Sequence, residues 1–162
     1  MILTVAMAVY DSIKVDTVTS LFGAMYALRS SGGRVRLDIQ KGSYIHNYRE
    51  FLVERAMKVD STHLLFVDSD MTFLPDTFSK LLELDKPVVG CAYAMRTPPH
   101  ANTVKKMVDG RIKILNEADM PKHPFPCLAV GTGVMLINMN VFKSLTPPYF
   151  VFGEEEDGSM IG

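Results

Sequence analysis

Tryptophan is absent from this 162-residue chain, cysteine occurs only twice, and positive charge is not in excess. Each shortage removes a class of function. With a net charge of −1 and no basic cluster interleaved with aromatics, no field draws the chain to nucleic acid or an anionic membrane. No nucleic-acid partner is expected, and membrane contact is expected to be peripheral at most. Cys91 and Cys127 lack metal-ligand spacing and read as two buried small hydrophobes in a reduced compartment. The opening stretch MILTVAMAVYDS has neither a basic leader nor an apolar run of membrane-spanning length. It reads as a first strand, and a cytoplasmic location is expected. Repeats, low-complexity tracts and linkers are also missing, so residues 1–162 are expected to form a single domain. What is present is ordinary for a soluble fold: 48% hydrophobic and 22% charged residues. A chain of this length buries roughly two-thirds of its unfolded surface.

Residues 2–9, ILTVAMAV, form a continuous apolar run of strand length. Val15, Val18, Leu21, Phe22, Met25 and Leu28 then recur at helical spacing. Asp11 or Ser12 is expected near the start of that helix, and Ser31-Gly32-Gly33 ends it. RVRLDIQ (34–40) predicts a second strand, and Ile45, Tyr48, Leu52 and Ala56 a second helix. HLLFVD is a third strand. PDTFSKLLEL (75–84) places Pro75 at a first helical position, with Phe78, Leu81 and Leu82 on one face. KPVVGCAY (86–93) predicts a fourth strand. This alternation argues for a parallel sheet covered by helices.

The pattern changes after Arg96. NTVKKMVDGRIKIL holds Asp109-Gly110 between two alternating runs, a hairpin signal. PFPCLAV and GVMLINM predict two strands flanking Gly131-Thr132-Gly133. Asn140 is expected to cap a short helix, VFKSL. PYFVF and SMI flank the acidic turn EEEDG. The expected fold class is α/β: a doubly wound half followed by a mixed, partly antiparallel half.

The stretch HLLFVDSDMTF (63–73) carries the chemistry. In open α/β sheets ligands bind outside the carboxyl ends of the strands, and Asp68 and Asp70 stand at that edge. Residues two apart in extended chain point to the same side. Two carboxylates so placed repel each other unless a cation lies between them, and Mg²⁺ and Mn²⁺ accept such oxygen ligands while phosphates fill the remaining positions. The plainer alternative is a pair of polar loop residues, one of them capping a turn.

Two families place Asp-x-Asp after an apolar strand. Asp68, Asp70 and Thr72 resemble the Asp-x-Asp-x-Thr pattern of the haloacid-dehalogenase-like phosphatases, where the first Asp is a nucleophile. In those enzymes the acidic strand opens the fold, whereas here 67 residues precede it. A later strand ending in paired acids is also required, and residues 74–150 show none. The second family is broader in its match. MAVYDSIKVDTVTSLFGAMYAL, the stretch from Gly42 to Arg96, and VGTGVMLINMNVFKSL together resemble the nucleotide-diphospho-sugar glycosyltransferases of the GT-A fold, family 2.

That resemblance implies a GT-A fold, a Rossmann-like and mainly parallel sheet with a mixed second half. Residues 1–96 would form the nucleotide-binding half and 97–162 the acceptor side. It implies transfer of a sugar from a nucleotide-sugar donor to an acceptor, with inversion, and with Mn²⁺ or Mg²⁺ on the donor diphosphate. Asp70 is then the direct metal ligand. Asp68 contacts metal or ribose, and Ser69 lies between them. Ala8, Val9 and Tyr10 match the place that holds the base. Tyr10 either stacks on it or is a half-buried aromatic at a strand end. Arg49 in IHNYRE lies near the nucleotide or is a solvated helix charge. Gln40 and Lys41 face the same crevice. Gly131, Thr132 and Gly133 bring backbone close to sugar or acceptor, or simply form a tight turn. Arg96 faces phosphate or acceptor.

Inverting enzymes of this kind need a base for the acceptor hydroxyl. The family takes it from a Glu-Asp segment after the Gly-Thr-Gly block, and the chain reaches Gly162 where that segment would begin. The expectation is a C-terminally incomplete enzyme, with Glu156 or Asp157 as the alternative base. A nucleotide-sugar-binding fragment without catalysis remains a second reading. Self-association into a homo-oligomer through exposed apolar surface is also expected.

Overall fold

The computed structural model describes residues 1–96, 98 and 100–150, together with the backbone pairing of 153–154 and 160–161. Five strands form the main sheet: β1 (Ile2–Val9), β2 (Arg34–Lys41), β3 (His63–Val67), β4 (Val88–Gly90) and β7 (Val134–Asn138). Their order is β2-β1-β3-β7-β4. β1 pairs parallel with β2 and β3, while β7 runs antiparallel to both β3 and β4. The fold is therefore mixed α/β with a mostly parallel sheet.

Burial explains why β1 reads as an unbroken apolar run. Its odd residues Leu3, Val5, Met7 and Val9 pack with Leu21, Ala24 and Leu28 of α1 (Val15–Ser30) and with Phe78 and Leu81 of α3 (Thr77–Glu83). Its even residues Ala6 and Ala8 face Leu52, Val53 and Ala56 of α2 (Ile45–Lys58) and Phe142 of α4 (Met139–Lys143). A strand covered on both faces has no polar side to show. Thr4 breaks the run, and its hydroxyl is satisfied by Ser61 Oγ at 2.6 Å.

Several expectations shift. Lys14, not Asp11 or Ser12, precedes the first turn of α1. Its buried line is Thr17, Leu21, Ala24 and Leu28, so Val15 and Phe22 face solvent. The helix ends as expected: Gly33 N–H reaches Leu28 O at 3.0 Å and Gly32 takes φ 86°, the left-handed geometry that glycine adopts at no cost. α3 starts at Thr77, two residues past Pro75, and the fourth strand shortens to Val88–Gly90. PFPCLAV forms no strand. Pro124 and Pro126 withhold N–H donors, and the segment keeps only one bridge, Ala129 to Lys105. Cys127 is exposed, against expectation, while Cys91 is half-buried and burial pushes its thiol pKa up.

The Asp109-Gly110 hairpin forms as expected between β5 (Lys105–Val108) and β6 (Arg111–Ile114), with φ of 51° and 72° at the two turn residues. Asn138, not Asn140, caps α4, its side chain accepting from Asn140 N at 3.0 Å. The expected strand PYFVF is not one at Tyr149 and Phe150. The pairing beyond it joins β8 (Gly153–Glu154) to β9 (Met160–Ile161). Among the described residues, no helix is long and apolar enough to cross a membrane.

Candidate functional site

The chain leaves β1 to form β2 on one side and returns to form β3 on the other. That reversal makes a topological switch point, and the crevice outside the carboxyl ends of β1 and β3 is where such sheets bind ligands. Asp68 follows β3 directly. It lines, with Asp70, Met71, Thr72 and residues 93–96, a cleft of about 390 Å³.

The turn carrying the acids is held by four separate parts of the chain. Asp68 N–H donates to the Gly133 carbonyl at 2.9 Å. Its carboxylate accepts from Arg49 at 2.9 Å, and that guanidinium lies 6.0 Å from the centroid of the Phe66 ring. The Ser69 carbonyl accepts from Lys14 N–H at 2.8 Å and Thr17 Oγ1 at 3.2 Å, tying the start of α1 to the turn. Asp70 pairs with Arg96, which reaches in from the segment after β4. Each acid thus meets one arginine. One carboxylate oxygen of each takes the guanidinium.

Tyr93 completes the cleft, and sequence reasoning did not single it out. Its hydroxyl accepts from Gly133 N–H at 3.0 Å. A Cβ added at Gly131 would come within 2.3 Å of the phenol oxygen, and one at Gly133 within 2.7 Å of the ring. The close approach that these glycines permit is therefore made by Tyr93. Burial raises the Tyr93 pKa and the Asp68 charge adds to the rise, while the Gly133 hydrogen bond and the Arg49 charge oppose it.

The other sequence-chosen residues lie along the same edge. Ala8 and Val9 pair in register with Gln40 and Lys41 at the ends of β1 and β2. The side chains of Ala8 and Val9 are buried in the two cores, and the Val9 carbonyl accepts from Gly42 N–H at 2.8 Å. Tyr10 stands 66% exposed beyond them, and not half-buried. Gln40 contacts the Lys41 carbonyl at 3.3 Å, and Lys41 lies 3.6 Å from Asp11. Thr132 lies between the two glycines that carry the Tyr93 ring. Glu156 and Asp157 fall outside the described residues.

Asp68 and Asp70 are the two carboxylates that line the cleft. They do not make a closed protein cage: among the described residues, no group of three or more His, Cys, Asp or Glu side chains converges on a metal position.

No protein-family model matches the chain, and no curated protein matches it. Solved structures do. A197 from STIV overlays with a TM-score of 0.59 at 15% identity, covering 93% of this chain and 72% of that one. At that identity the likeness is one of fold. A glycosyltransferase involved in the glycosylation of the major capsid of PBCV-1 overlays with a TM-score of 0.43 at 14% identity, covering 88% of this chain and 62% of that one.

Proposed function

We propose that the protein is a glycosyltransferase of the GT-A type, taking a nucleotide-sugar donor with Mn²⁺ or Mg²⁺ held by Asp68 and Asp70. The observation that carries this reading is the placement of both acids in one cleft at the carboxyl end of β3, beside the switch point. When bound, the cation would neutralise the charge growing on the diphosphate leaving group.

The chain's own residues do the rest. Arg49 and the Gly133 carbonyl fix Asp68, so that its carboxylate meets the ligand without reorganising. Tyr10, exposed at the end of β1, offers a ring face for the base. Arg96, paired with Asp70, supplies positive charge in the wall of the same cleft. The acceptor and its base are left to residues other than these. The phosphatase reading has weaker support, because β4 runs into Cys91, Ala92 and Tyr93 and brings no second acidic pair to the edge.

Thermal unfolding with a panel of nucleoside diphosphates, each with and without Mn²⁺, tests the proposal. A ligand that binds the native state alone raises the apparent stability by mass action. The expected result is a rise that needs both metal and one nucleotide and disappears in Asp70→Asn. No rise with any pair would count against the reading, and an assay of metal-dependent phosphate release would then separate the phosphatase alternative.

A further inference from the structure

We infer that Arg96 competes with the cation for Asp70 and transfers to the donor diphosphate once the cation is bound, so that one side chain couples the two ligands. This rests on the reading of Asp68 and Asp70 as the cation-holding pair.

The fold treats the two acids differently. Asp68 is fixed at its backbone by Gly133 and at its carboxylate by Arg49, whose side chain is only 18% exposed and rests over Phe66. Arg49 is anchored in the body of α2, so this pair is a permanent part of the site. Asp70 is paired instead with Arg96, whose side chain is 77% exposed. An ion pair of that exposure contributes about 0–1 kcal/mol, and its long side chain gives up rotamer freedom to form it. Arg96 is therefore the partner that can leave.

Charge decides where it goes. The two carboxylates and two guanidiniums cancel. A divalent cation arriving alone leaves the cleft strongly positive while Arg96 loses its carboxylate. A diphosphate linking nucleoside and sugar carries two negative charges and restores neutrality, and a guanidinium binds phosphate oxygens in a bidentate fork. The cleft of about 390 Å³ has Arg96 and both acids in its wall, so the move stays within one cavity. Arg96 thus opposes binding of the cation alone and favours binding of the diphosphate to the cation-loaded protein. By linkage, each ligand then raises the affinity for the other.

The test needs no turnover. Mn²⁺ binding to the protein alone is read from the paramagnetic resonance of the free ion. Diphosphate binding at saturating Mn²⁺ is read by calorimetry with uridine, guanosine, adenosine and cytidine diphosphates in turn. Arg96→Gln is expected to bind Mn²⁺ alone about two- to fivefold tighter, the value of an exposed ion pair. It should bind the nucleoside diphosphate about tenfold more weakly, the value of a lost charge-assisted hydrogen bond. Arg96→Lys, which keeps the charge but not the fork, should fall between. If Asp70→Asn abolishes Mn²⁺ binding while Arg96→Gln leaves both affinities unchanged, or moves both in the same direction, the inference is overturned and the metal site stands. If Mn²⁺ fails to bind, or binds equally to Asp70→Asn, the site reading itself fails and the inference goes with it.

Discussion

Tyr93 stands over Gly133 and accepts its N–H at 3.0 Å, while the carbonyl of the same glycine takes up the Asp68 amide at 2.9 Å. One peptide segment from the reversed strand thereby links a phenol from the end of β4 to the first acid after β3. Three strands contribute to the position of a single carboxylate.

Gly133→Ala would set a methyl 2.7 Å from the Tyr93 ring, and either the ring or the loop must then move. Overpacking of this kind costs about 1–3 kcal/mol, measurable by denaturant titration. In a Tyr93→Ala background the same change should cost almost nothing, because the obstructing ring is gone. An additive double-mutant cycle would show that the ring and the glycine are not coupled.

His63 gives the fold a sensitivity to mild acid. Burial lowers its pKa below the ordinary 6.5 of a free imidazole, and the Asp85 charge offsets only part of that. The unfolded chain therefore binds the proton more readily than the folded one. Stability from this group is complete above the unfolded pKa and is lost as pH falls through the folded one. His63→Gln should flatten the acid side of a stability profile measured by urea unfolding. A parallel fall in both proteins would assign the loss to other groups.

Glu50 reaches across the fold to hold a segment about a hundred residues away in sequence. Its two carboxylate oxygens accept from Tyr149 N–H at 2.8 and 3.1 Å, and one of them also accepts from Phe150 N–H at 3.2 Å. Glu50→Ala should cost about 1–3 kcal/mol and speed hydrogen exchange at those two amides above the rest of the chain. Glu50→Gln retains an acceptor and should recover part of the protection. Unchanged exchange in Glu50→Ala would mean that Phe150, packed on Phe66 and Phe142, is held by its ring contacts alone.

The parts of this fold that are legible in the sequence are those where one local force acts alone. β1 and β3 are buried on both faces and read as plain apolar runs, and Asp109-Gly110 declares its turn through the two residue types that tolerate positive φ. The exposed face of α1 was less legible, because Phe22 sits beside the buried Leu21 and both satisfy a helical period. The proline-bearing stretch before Gly131 looked apolar enough for a strand, yet lacked the donors to pair as one. At the candidate site, Asp68 and Asp70 stand out by following an apolar strand, and Arg49 only through the resemblance carried by IHNYRE on α2, the helix before β3. Tyr93 does not. Its partnership with Gly133 spans forty residues and depends on β7 lying reversed between β3 and β4, which no local pattern encodes.

That reversal has a topological result. Because β7 runs against β4, the chain leaves the sheet at Cys91 and re-enters it at Val134 on the same rung, where Cys91 N–H meets the Val134 carbonyl at 2.9 Å. Everything in 91–133, including the hairpin, Tyr93 and Arg96, is an excursion whose two feet stand side by side. Such a segment can change in length without rethreading the sheet, provided that Gly133 stays to hold Asp68. The wall of the cleft that carries Tyr93 and Arg96 thus belongs to one loop between two adjacent strands, and the wall that carries Asp68 and Asp70 to another.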